Sequence, residues 1–186
     1  MGDGRAKRIV RVGVLAAMAL ALAASPVLAQ GNPLEDAVKA TYLYKFAPFV
    51  EWPASAFESE TSPLVICIAG PDPFGAALDQ AVAGQHAGQH PITVRRLDKA
   101  DHAPLCHILY AAPAKGQSAA DLLRAAHGAV LTVTDEAGDT AARGIVNFVV
   151  QNGHVRFQID DETAGQSGIK ISSKLLSLAL SVRSRR

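Results

Sequence analysis

The chain has 186 residues, with 18 Lys and Arg against 17 Asp and Glu, and 49% of it is apolar. That length supports one domain with a sizeable core. The near-neutral balance, with basic residues gathered only at the two ends, excludes a nucleic-acid footprint.

The N-terminal thirty residues read as a targeting segment. Arg5, Lys7, Arg8 and Arg11 precede an uncharged apolar run, Val12 to Ala24, and Val27-Leu28-Ala29 offers small residues for cleavage before Gln30. The run falls short of the roughly 20 residues that span a bilayer, and neither cysteine lies near it. The expected division is therefore a signal peptide at 1–29 and a single domain at 30–186, exported and soluble. Removing the signal leaves 14 basic and 16 acidic residues, a charge of about −2.

Residues 34–51 have the helical template in Leu43, Phe46, Ala47 and Val50, with Asn32 as cap, Pro33 at the first position, a kink at Pro48 and a stop at Pro53. Five of the ten aromatic residues fall here: Tyr42, Tyr44, Phe46, Phe49 and Trp52. Helical spacing makes most of them a buried face, while Tyr44 and Trp52 are candidates for partial exposure. LVICIA (64–69) is a buried strand. A helix follows over 74–82, capped by Asp72, and 81–90 is a polar loop. Strands are expected at 92–97, 106–111 and 130–134, with a helix at 119–126 between the last two. Gln151-Asn152-Gly153-His154 separates strands 145–150 and 155–159, a strong hairpin signal. Residues 171–182 read as a last helix, with Leu175, Leu178, Ala179 and Val182 on one face. The basic end, Arg183, Arg185 and Arg186, reads as solvated. Together these elements predict an α/β domain with a mainly parallel central sheet, flanking helices and a C-terminal β-hairpin.

No catalytic residue, cofactor motif or metal site is assigned. GPDPFG (70–75) sits after a strand, where phosphates often bind, but lacks dinucleotide spacing and a following lysine. GQSG (165–168) is not a nucleophile elbow. Asp160, Asp161 and Glu162 are consecutive, and the expected role is capping a turn. Cys67 and Cys106 have two readings. An exported chain with two cysteines beside core strands favours a disulfide over a zinc site built on Cys67, His102, Cys106 and His107.

Six stretches carry a resemblance: VKATYLYKFAPFVEWP (38–53), VICIAGPDPFG (65–75), HILYAA (107–112), GAVLTVTDEAG (128–138), GIVNFVVQNGHVRFQID (144–160) and GIKISSKLLSLA (168–179). In that order they resemble the YfiR-like family of periplasmic proteins over essentially the whole mature chain. Two departures stand out: Pro48 occupies a position where a lysine or similar residue is expected, and the second cysteine pair of some members is missing.

The resemblance implies a regulator that binds the periplasmic domain of an inner-membrane diguanylate cyclase or sensor kinase and holds it off. An outer-membrane peptidoglycan-binding lipoprotein would sequester the repressor, raising cyclic di-GMP and biofilm formation. For partner contact the expected patch is Phe148, Phe157 and Ile169. The rival reading is a small-ligand receptor using the loop Pro71–Gly75. Exposed edge strands make a homodimer an available assembly.

Overall fold

The first helix, α1 (Pro33–Phe46), starts as its cap predicts: the Asn32 side chain accepts the Leu34 N–H at 3.2 Å, and Glu35 and Asp36 complement the helix dipole in the first turn. It stops five residues earlier than the spacing predicts. Pro48 cannot donate to a helical ladder, so Ala47–Phe49 tightens into a 3-10 turn and Val50–Glu51 becomes strand β1. The structure is a computed structural model and describes residues 32–97, 105–135 and 142–185. The expected signal peptide and His102 lie outside the described residues.

β2 (Leu64–Ala69) is buried at all six positions. α2 (Ala76–Val82) begins two residues later than predicted, because Asp72 accepts the Phe74 N–H at 2.7 Å in a local turn rather than capping the helix. Within the stretch expected to be a loop, β3 (His86–Ala87) forms a short hairpin with β4 (His90–Leu97). β5 (Ile108–Ala111), α3 (Ala119–Ala125) and β6 (Leu131–Asp135) follow the sequence expectation closely. β7 (Val146–Gln151) and β8 (His154–Asp160) form the predicted hairpin, with Asn152 and Gly153 at φ 52° and 74°, the left-handed pair that a tight two-residue turn requires.

The last helix of the sequence reading is not formed. After α4 (Asp161–Gln166), its place is taken by the end of β9 (Lys170–Ile171), α5 (Ser173–Leu176) and β10 (Ser181–Arg183). Ser172 caps α5 by accepting the Leu175 N–H, and Leu178, expected on the apolar face of a longer helix, is 55% exposed. Val182 instead pairs with Ile159 in a parallel ladder.

The main sheet has the order β10-β8-β7-β6-β5-β2-β4-β3. β4, β2, β5, β6 and β7 are mutually parallel, and the antiparallel β7–β8 hairpin extends the sheet at one side. This is the predicted α/β architecture. Alternation along β2 decides the layers. Leu64, Ile66 and Ile68 face α1 and α2 through Leu43, Phe46 and Leu78. Val65, Cys67 and Ala69 face α3 through Leu122.

The chain leaves β2 for β4 on one side and returns to β5 on the other, so the order reverses between β2 and β5. There Gly70 has φ +90°, and a Cβ would sit 2.0 Å from the Ala112 carbonyl oxygen. Only glycine fits. A second, two-stranded sheet joins the chain's two ends: β1 pairs antiparallel with β9, and the Ser172 N–H donates to the Phe49 carbonyl at 2.9 Å.

Candidate functional site

The aromatic segment packs against the core, with Phe46 fully buried and the other four rings partly so. Phe46 lies 6.0 Å from Phe148 and 5.2 Å from Phe157, centroid to centroid, and Tyr42 stacks on Phe46 at 5.9 Å, lies tilted to Phe148 at 6.1 Å and meets Phe157 edge-on at 5.5 Å. Phe148 and Phe157 are direct cross-strand partners on the hairpin, so both rings point to the face that α1 covers. This corrects the expected partner patch. Phe148 is 0%, Phe157 3% and Ile169 0% exposed. Ile169 is drawn inward because its N–H donates to the Ala164 carbonyl behind the Gly168 turn. Tyr44 and Trp52 are half-buried, as expected, but so are Tyr42 and Phe49, which the spacing places on the buried stripe.

At the N-terminal ends of the parallel strands, Phe57 is sandwiched between His90 (3.8 Å) and His107 (4.3 Å), and Trp52 meets His107 edge-on at 6.1 Å. His107 is 3% exposed. Its Nδ1 accepts the Val65 N–H at 3.0 Å, and its Nε2 lies 3.0 Å from the Ala56 carbonyl, so the neutral ring carries its proton on Nε2. Burial pushes its pKa down, the Ala56 bond opposes this, and the neighbouring His90 adds to it. His107 is thus a structural pin and not a metal donor. The zinc reading also loses its thiolates, since a disulfide joins Cys67 to Cys106.

At the opposite ends of the strands, Lys39 of α1 is 2% exposed and bonds both Glu35 and Asp135. Burial works against its charge, yet the hydrogen bonds to Asp135 and Glu35 outweigh this and raise its pKa. Asp36 beside them is raised chiefly by burial. The Tyr110 hydroxyl lies 3.5 Å from Asp135, and burial pushes it up strongly.

The loop proposed for a small ligand, Pro71–Gly75, is tied down by an arginine. Arg96 of β4 bonds Asp72 at 2.7 Å, Asp79 at 3.0 Å through two nitrogens, and the Gly75 carbonyl at 2.9 Å. Partial burial disfavours the charge on Asp72, but the bonds from Arg96 and from the backbone of Phe74 and Gly75 lower its pKa overall. A guanidinium and two carboxylates therefore occupy the start of α2, where an anion would have to sit. The basic end is likewise engaged and not merely solvated: Arg183 pairs with Asp160 and Glu162, and Arg185 with Asp161. Asp160 caps α4 through the Thr163 N–H, as its place after a strand predicts.

These ionisable groups bond one another and present no poised nucleophile. Among the hollows of the surface, two grooves of about 400 Å³ and 680 Å³ share Tyr42. Sequence reasoning missed both grooves and the Lys39 network. The i, i+4 spacing of Glu35 and Lys39 was the available signal for the network, but Asp135 lies 96 residues away.

The sequence profile of the YfiR/HmsC-like family matches residues 36–180, from the first turn of α1 to the residue before β10. The chain belongs to the YfiR/HmsC-like family. No curated protein matches it. The YfiR/HmsC-like match takes in the aromatic segment, both cysteines and the hairpin. It leaves β10 and the paired arginines of the terminus outside. Among the described residues, no helix is long and apolar enough to cross a membrane.

Proposed function

We propose that this YfiR/HmsC-like protein is a periplasmic regulator that binds the periplasmic domain of an inner-membrane diguanylate cyclase, or a related sensor, and holds it inactive. The family match over residues 36–180 carries the reading. The Cys67–Cys106 disulfide agrees with an oxidising compartment. Separately, the internal pairing of the buried Lys39 with Glu35 and Asp135 fits a binding module better than an enzyme. Repression here is a population shift: the regulator binds the inactive sensor more tightly than the active one. Moving a sensor from 1:99 to 99:1 needs a preference of about 10⁴-fold. An outer-membrane peptidoglycan-binding lipoprotein that competes for the regulator would relieve repression.

The test is intracellular cyclic di-GMP in the native host with the gene present, deleted and restored. A rise on deletion that is reversed by the restored gene supports the reading. An unchanged level across growth conditions removes it.

A further inference from the structure

We propose that the concave surface around Tyr42, between α1 and the β7–β8 hairpin, docks an acidic, amphipathic segment of a partner protein. The proposal deepens the regulatory reading and rests on it for the partner being a protein.

Three observations converge on this surface. The first is shape. The groove along α1 and the groove under the hairpin share Tyr42, whose ring is fixed from below by Phe46 and Phe157. A rigid aromatic at the junction of two grooves is a typical anchor for a docked segment.

The second is apolar exposure. Leu34 (75%) and Val38 (37%) are one turn apart on α1, and Leu178 (55%) lines the hairpin groove. Val150 (48%) stands opposite Val155 of the groove wall in the hairpin register. Large exposed apolar residues gathered around one concavity mark an interaction surface, whereas scattered ones do not.

The third is charge, and it selects the partner. Among the described residues, the titratable groups lining the two grooves, apart from Tyr42, are Lys45, His154 and Arg156, with no carboxylate on either lining. Lys45 and Arg156 are both exposed, and neither has an ion pair among the described residues. Elsewhere Arg96, Arg124, Arg183 and Arg185 are each matched by carboxylates. An apolar trough with unmatched cations at its rim is complementary to apolar side chains flanked by Asp or Glu. An anionic membrane fits less well. Polybasic lipid-binding patches carry about 4–8 basic residues, whereas two exposed cations line the grooves here.

The experiment places a photo-crosslinking amino acid at Val38 or at Leu178 of the full exported chain in its host, with exposed Glu58 as control position. Both groove positions are expected to capture one protein, through a segment that mass spectrometry shows to carry Asp or Glu beside apolar residues. Lys45→Glu with Arg156→Glu should lower the adduct yield at least tenfold at unchanged thermal stability, and Lys45→Arg with Arg156→Lys should retain it. Lipid adducts, adducts between two copies of this chain, a segment without carboxylates, indifference to charge reversal, or no adduct at all would each overturn the proposal.

The two readings fail separately. An acidic partner segment from a protein unconnected to cyclic di-GMP keeps the surface and removes the regulatory role. A cyclic di-GMP response to deletion without crosslinks does the reverse.

Discussion

Reduction of the Cys67–Cys106 bond is expected to cost about 4 kcal/mol of folding stability. The two residues are 39 apart in sequence, and the enclosed loop contains α2, β3 and β4. In the chain-entropy description, opening a loop of that length returns about 4 kcal/mol of configurational freedom to the unfolded chain. Reduction keeps both sulfur atoms in place, so no cavity term is added, as it would be in an alanine double mutant. The assay is urea unfolding of the oxidised protein and of the same protein after unfolding, reduction and refolding under excess dithiothreitol. With an m-value of about 2 kcal/mol/M, the midpoint should fall by about 2 M. A thiol titration under denaturing conditions confirms each state, with no free thiol before reduction and two after. A loss below about 1 kcal/mol would refute the reasoning. It would mean that the loop is already restrained in the unfolded chain, or that the bond is absent from the native protein.

Other expectations concern the polar pins. Because the folded state depresses the His107 pKa, the unfolded chain binds more protons near pH 6. The His107 contribution is present above about pH 6.5 and is lost as pH falls through the folded pKa. Thermal melting from about pH 7.5 down to about pH 5 should show this fall, and His107→Gln should flatten it. Lys39→Met leaves Glu35 and Asp135 without their shared cation, and chemical denaturation should show a loss of about 3–5 kcal/mol. Adding Asp135→Leu should recover part of it, and strict additivity of the two substitutions would argue against direct coupling. Gly70→Ala should destabilise by on the order of 3 kcal/mol, combining backbone strain with a clash. Gly88→Ala, with φ +63° and open space, should lose only about 1 kcal/mol. Equal effects in unfolding titrations would remove the close-approach argument.

Local signals in the sequence located most of the strands. LVICIA is apolar on both faces because both faces of a central parallel strand are covered, and Asn152-Gly153 fixed the hairpin. Longer-range choices were not legible. The spacing of Leu175, Leu178, Ala179 and Val182 mimics a helix, but the edge of β8 offers Val182 a parallel ladder and Ser172 starts a shorter helix. Phe148 and Phe157 alternate as hairpin residues should. Alternation alone does not say that α1, about a hundred residues earlier, lies over them. Lys39 reads as a surface lysine until Asp135 arrives from the far end of β6. The groove under the hairpin had no sequence signature, because Tyr42 of α1 joins residues of the hairpin and Leu178 only in the fold.

The pairing of β1 with β9, and of Phe46 with Phe148 and Phe157, has a consequence for biogenesis. The stickiest stretch of the chain, residues 42–52, is made early, yet its burial waits for residues 146–172. Contacts of such sequence separation fold slowly. A nascent chain therefore keeps its aromatic stretch available to holding chaperones until the final third has emerged. That delay would suit export of the unfolded chain, as the proposed periplasmic role requires.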